Sequence, residues 1–188
     1  MKEFLDIALN TAETKGADYA DIRISRHKNQ SIRTREDRIQ GISNSESYGF
    51  GVRVLVDGTW GFAASHRLTK NNVANITMRA LDIARANRVV QRIPIRLAEV
   101  ESYEDQWSSP IKKDPFQVPV NDKIDLLLTV NEEALKVKGA KYCSSSMLFM
   151  NEHKHFAPTE GSVIQQNLHR AFPSFTVTAI DSERGEFE

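Results

Sequence analysis

The stretch Tyr48–His66, YGFGVRVLVDGTWGFAASH, constrains this chain more than any other. Asp57-Gly58 separates two apolar runs, and that pair readily supplies the positive φ angles of a two-residue type I′ hairpin turn. With that loop Val56 faces Thr59, Leu55 faces Trp60, Val54 faces Gly61, Arg53 faces Phe62 and Val52 faces Ala63. Strand side chains alternate between faces, so the pairing sorts them. One face carries Val52, Val54 and Val56 opposite Gly61 and Ala63, an apolar floor with room for a helix. The other carries Arg53, Leu55, Trp60 and Phe62. A sheet covered by helices on its small-residue side is the expectation.

Before the hairpin, Phe4, Leu5, Ala8, Leu9 and Ala12 recur at helical spacing, and Gly16 suits the end of that helix. Within Ala17–Arg35, Ala20, Ile22 and Ile24 alternate with polar residues as in a half-buried strand. Glu36-Asp37 reads as a turn, and Arg38–Ser47 as a second, more polar strand. About four antiparallel strands in a meander result, a normal sheet size. Thr69 is a good N-cap for a helix presenting Val73, Ile76, Ala80, Ile83 and Ala84 on one face, running to Arg88. Residues 1–92 are thus expected to form an α+β domain with two helices on one face of an antiparallel sheet.

Pro94, Pro110, Pro115 and Pro119 punctuate residues 93–120, which read as a linker draped over the first domain, with Trp107 and Phe116 as apolar anchors. Asn121 is the expected N-cap of a third helix ending at Gly139. Lys141–Phe156, Gly161–Arg170 and Phe175–Asp181 read as three strands, the last two joined by a bend from Ala171 to Ser174 around Pro173. Residues 121–188 therefore resemble the incomplete start of a further domain with a second antiparallel sheet, and more structure is expected to follow Glu188.

The bulk numbers exclude several classes. Lys+Arg and Asp+Glu both number 25, so no global field draws the chain to nucleic acid or anionic lipid. Cys143 is the single cysteine, which rules out an intrachain disulfide and fits a reducing, cytoplasmic setting. The N-terminal apolar stretch is interrupted by acids and reads as an amphipathic helix, not a signal peptide. No apolar run approaches the ~20 residues that span a bilayer.

Candidate chemistry is sparse. On a strand, His153 and His155 of Glu152-His153-Lys154-His155 point to one face and could share a metal, with Cys143 as a third donor. The same residues read more simply as a polar strand end. The 188 residues contain no His-Glu dipeptide, so the two-His zinc-protease helix is absent. Arg23, Arg26, Lys28, Arg33, Arg35 and Arg38 could meet phosphates, but Asp21, Glu36 and Asp37 interrupt them, and direct nucleic-acid binding is not expected. Gly49-Phe50-Gly51 leads into a strand and is no phosphate loop. Ser65-His66 and Ser144-Ser145-Ser146 lack a base and orienting acid at suggestive spacing. No catalytic, cofactor-binding or metal-binding residue is assigned. The Leu55/Trp60/Phe62 face needs cover, from the chain or from a partner.

ADYADIRISR, the SYGFGVRVLVDGTWGFAAS hairpin and the helix containing ALDIARA together resemble the N-terminal domain of the TldD/PmbA family. TEGSVIQQ (Thr159–Gln166) resembles that family's Glu-Gly-Ser segment, which extends the similarity over nearly the whole chain. Members have been described as modulators of DNA gyrase and are regarded as zinc metallopeptidases. The resemblance implies a zinc site built from an HExxxH helix and a later cysteine, in the C-terminal half of a much longer protein. Neither Glu152-His153 nor Cys143 matches that motif. It also implies a homo- or heterodimer with a family member, around a cavity that admits unfolded peptides. This chain is then the non-catalytic N-terminal portion of such a peptidase, a scaffold, dimer surface or substrate gate. The alternative is a stand-alone protein-binding module.

Overall fold

The computed structural model describes residues 1–181 and 185–187. Three helices accompany the strands: α1 (Lys2–Thr14), β1 (Tyr19–Arg35), β2 (Arg38–Val56), β3 (Thr59–Ser65), α2 (Lys70–Asn87), β4 (Glu104–Ser108), α3 (Val120–Leu135), β5 (Ala140–Pro158), β6 (Val163–Asp181) and β7 (Glu186–Phe187). Strand order is β3-β2-β1-β5-β6-β4, with β7 beside β6. The expected α+β class holds. β4 runs parallel to β6, whereas β2/β3 and β6/β7 are antiparallel.

The hairpin forms in the register read from the sequence, from Val56 opposite Thr59 to Val52 opposite Ala63. Asp57 and Gly58 both have positive φ, 49° and 74°, as a type I′ turn requires. Thr69 caps α2, its Oγ1 accepting from the Asn72 amide at 3.3 Å. Gly16 closes α1 with φ 83°.

Four local expectations change. Arg38–Ser47 and the first hairpin strand are one strand, β2, because nothing in the polar stretch forces a turn. The bend expected around Pro173 is absent, and β6 passes straight through it. Proline's fixed φ suits extended backbone, and its only loss is one donor. Helix α3 starts two residues early, with Pro119 and not Asn121 at the N-cap and no side-chain cap bond. Asp122 in its first turn still complements the helix dipole. The strands expected to open a second sheet, β5 and β6, instead continue the same strand order. β5 is tied to β1 at both ends, by Thr159 N to Ala20 O (2.8 Å) and Glu36 N to Cys143 O (2.8 Å).

The chain divides into two compact units, both discontinuous in sequence because β1, β2, β5 and β6 each pass from one to the other. The first comprises Met1–Arg26, Ser47–Ser108 and Glu152–Asn167. Its core joins Leu5, Ala8 and Ala12 of α1 and Val73, Ala80, Leu81 and Ala84 of α2 to the valine floor, together with Ile22 and Ile24. Both N-terminal helices therefore dock where the small-residue face predicted. Ile95 N donates to Gly58 O (2.9 Å), so the proline-punctuated segment touches the hairpin turn there, while Trp107 lies in β4 opposite Gln166 and is 48% exposed.

The second unit comprises His27–Glu46, Ser109–Asn151 and Leu168–Glu188. Ile32, Ile124, Leu127 and Met147 make its core, flanked by Val120, Leu128 and Phe149. Among the described residues no helix is long and apolar enough to cross a membrane.

Candidate functional site

On the first unit's sheet, Tyr19, Asp21 and Arg23 alternate with the core residues Ala20, Ile22 and Ile24 and so occupy the opposite face, as do Arg53 and Trp60. Asp21 is only 2% exposed. A buried carboxylate needs charged and hydrogen-bonding partners. Arg53 supplies them through Nε at 2.7 Å and Nη2 at 2.6 Å, and the Tyr19 hydroxyl donates to the same oxygen at 3.1 Å. The Arg53 guanidinium lies 4.5 Å from the Trp60 ring centre, and Tyr19 meets Trp60 edge-on at 5.7 Å. Leu55 is buried at 4% exposure, whereas Phe62 is 58% exposed. The chain thus covers one part of this face and leaves another open.

Burial, reinforced by the Asp21 charge, pushes the Tyr19 hydroxyl up to about 12 from its ordinary 10. In unfolded chain it ionises near 10, so between pH 10 and about 12 the folded state holds more protons than the unfolded state. Stability therefore falls through that window and is fully present below it. An alkaline titration of tyrosinate absorbance is expected to show a Tyr19 step near pH 12 for the folded protein. Tyr19→Phe removes that step and flattens the loss of stability above pH 10; an unchanged titration would refute the assignment.

The metal candidates do not assemble. His153 and His155 do share a face, with ring centres 4.8 Å apart. The His153 Nε2, however, faces the Gln165 amide nitrogen at 3.1 Å and must accept from it. Burial, then the neighbouring His153 and the chain's amino terminus, lowers the His155 pKa. Cys143 is buried, donates to Asn131 Oδ1 at 3.3 Å, and has its thiol pKa raised by burial and then by Glu36. Catalytic zinc takes three protein ligands, and no group of three His, Cys, Asp or Glu side chains gathers among the described residues. This donor set does not fit that metal.

Three of the arginines between residues 23 and 38 are drawn into local pairs. Arg23 lies 3.8 Å from Asp21 and over Phe156, Arg35 is 3.2 Å from Glu36, and Arg38 is 3.6 Å from Asp37. The serines have structural work. Ser65 Oγ accepts from Asn72 Nδ2 at 2.9 Å near the start of α2, and Ser145 Oγ donates to Leu127 O at 3.2 Å.

A cleft of about 590 Å³ opens in the second unit, walled by Val118, Leu126, Met147 and Phe149, with Lys123 and His169 among its lining. Sequence reasoning missed both polar residues. Lys123 is four residues before Leu127 and eight before Asn131, so it sits on the buried stripe of α3. That spacing was the available signal. Lys123 donates to Gln30 Oε1 and lies 4.6 Å from the Phe149 ring centre. Burial lowers its pKa, opposed by Asp114 at longer range. His169 Nε2 is 3.1 Å from Asn151 Nδ2 and 3.9 Å from Asp114, while its Nδ1 is buried without a partner.

Comparison with known proteins points one way. Residues 20–87 match the profile described as PmbA/TldA metallopeptidase domain 1. A metalloprotease of Methanocaldococcus jannaschii is 26% identical over 153 residues, covering 81% of this chain and 34% of the relative. A zinc metalloprotease TldD homolog of Saccharolobus solfataricus is 34% identical over 65 residues, 35% of this chain and 14% of the relative. The fold is shared with TldE of Thermococcus kodakarensis (TM-score 0.75, 14% identity, 98% of this chain and 40% of that one). It is shared equally with a Thermotoga maritima protein named as a candidate modulator of a DNA gyrase (TM-score 0.75, 18% identity, 96% and 40%). The chain spans about a third of the M. jannaschii relative's length. With the hairpin, its flanking strand and the alanine-bearing helix in the matched segment, residues 20–87 are similar to the first domain of the PmbA/TldA metallopeptidase family.

Proposed function

We propose that this chain is the non-catalytic N-terminal portion of a TldD/PmbA-type zinc metallopeptidase of the cytoplasm, acting as scaffold, dimer surface or access route for unfolded peptide. The observation that carries the reading is the match of residues 20–87 to the family's first domain in a sequence without any His-Glu dipeptide. A zinc-activated water needs the two-His helix and its glutamate, and the His153/His155 pair supplies only two ring donors, one already engaged by Gln165. The relatives' names supply the peptidase half of the proposal, and the partner is a second family member.

A second reading, a binding module that works without a catalytic half, draws on the open Phe62 beside the Arg53–Trp60 stack. Incubating the chain with an unstructured peptide and zinc separates the outcomes. No chelator-sensitive cleavage is expected, and cleavage abolished by chelator would overturn the proposal. Acceleration of a family peptidase by the added chain favours the first reading over the module.

A further inference from the structure

Lys123 is a cation placed where cations are costly. It is 4% exposed, rests against the Phe149 ring, and gives one of its three N–H groups to Gln30. Among the described residues no carboxylate lies within ion-pair distance of its ammonium. Asp114 acts on it only from further away and stands nearer His169. His169 adds a second unmet need. The Asn151 amide nitrogen also donates to Leu168 O, so it faces His169 Nε2 as a donor. Nε2 then accepts, the ring hydrogen belongs to Nδ1, and that buried Nδ1 has no acceptor.

Around these two donors the lining combines apolar side chains with Lys112, Lys113 and Arg170 and one carboxylate, Asp122, so positive charge predominates. Its size, about 590 Å³, is that of a small-molecule site. A neutral hydrophobe would fill the walls and leave Lys123 without a counter-charge. Inorganic phosphate would meet the charge and gain nothing from the walls. From the unpaired buried cation in this cleft we infer that this site binds a small amphipathic carboxylate, with an aliphatic or aryl body on Phe149, Met147 and Leu126 and the carboxylate on Lys123. The inference is independent of the peptidase reading, since it needs neither zinc nor a partner chain.

Titrating the full chain with octanoate and with octanamide tests it, followed by ligand-observed NMR and calorimetry. Octanoate is expected to bind at least about tenfold tighter than the isosteric amide, with phosphate failing to compete. Lys123→Met keeps side-chain length and removes the charge, and it is expected to bring the two ligands to equal affinity. Equal affinities in the unaltered chain, no saturable octanoate binding, or an undiminished preference in K123M would each overturn the assignment. So would tighter binding of a peptide with a free apolar C-terminal residue, because the cleft would then belong to peptide termini. The comparison of the two ligands on the unaltered chain stands even if K123M fails to fold.

Discussion

Gly61→Ala is expected to destabilise the first unit more than any other single-methyl addition. Gly61 sits opposite Val54 on β3, directly beneath α2. A Cβ there would lie 2.0 Å from the Ala80 carbonyl oxygen and 2.6 Å from the Ala84 nitrogen. Both atoms are helix backbone, so no rotamer change relieves the clash and α2 must lift from the sheet. Overpacking commonly costs about 1–3 kcal/mol, and backbone-on-backbone interference puts G61A at or above the top of that range. G61V is expected to leave little folded protein. Urea unfolding of G61A, with amide exchange read in α2, measures it. Gly41→Ala is the control, because its Cβ would meet only the Arg33 guanidinium at 3.7 Å, and a change within about 0.5 kcal/mol is expected. A G61A midpoint equal to that of the unaltered chain would mean α2 does not pack this closely.

The second large effect is expected at Asn131 in the other unit. This side chain is fully buried on α3. Its Nδ2 donates to Thr34 Oγ1 (3.0 Å) and to the Glu36 carbonyl (2.9 Å), and its Oδ1 accepts from the Cys143 thiol (3.3 Å). Thr34 Oγ1 in turn lies 2.7 Å from Ser145 Oγ, which donates to Leu127 O. A connected buried network couples its members, so losing the hub strands several at once. Asn131→Ala leaves the Glu36 carbonyl and the thiol unmatched and opens a small void, a loss of roughly 2–4 kcal/mol. Asn131→Asp is expected to be worse at neutral pH, since a carboxylate would face the Glu36 carbonyl with no donor. Acidification should recover part of that loss as the carboxyl gains a proton. A pH-independent N131D, or an N131A loss below about 1 kcal/mol, would show the network to be slack.

These positions mark where sequence reading reached and where it stopped. The hairpin register, the Thr69 cap and the helix stripes were legible because each depends on neighbours within a few residues. Turn chemistry, alternation and 3.6-residue spacing act at that range. Continuity of strands was less legible: a glycine-containing polar stretch in β2 and Pro173 in β6 look like breaks, yet extended backbone accommodates both.

What the amino-acid order alone determined is the architecture of the first unit: two helices on a valine floor, and with it the likeness of residues 20–87 to the PmbA/TldA first domain. Tertiary structure alone decided the rest. It buried Asp21 against Arg53, hid Asn131 under Thr34 and the Glu36 carbonyl, and put Lys123 against Phe149 with no ion-pair partner among the described residues. Each of those polar side chains looks like ordinary surface chemistry in the linear chain. Their partners lie 32, 97 and 93 positions away, and burial, not residue type, sets what a charge or an amide there can do.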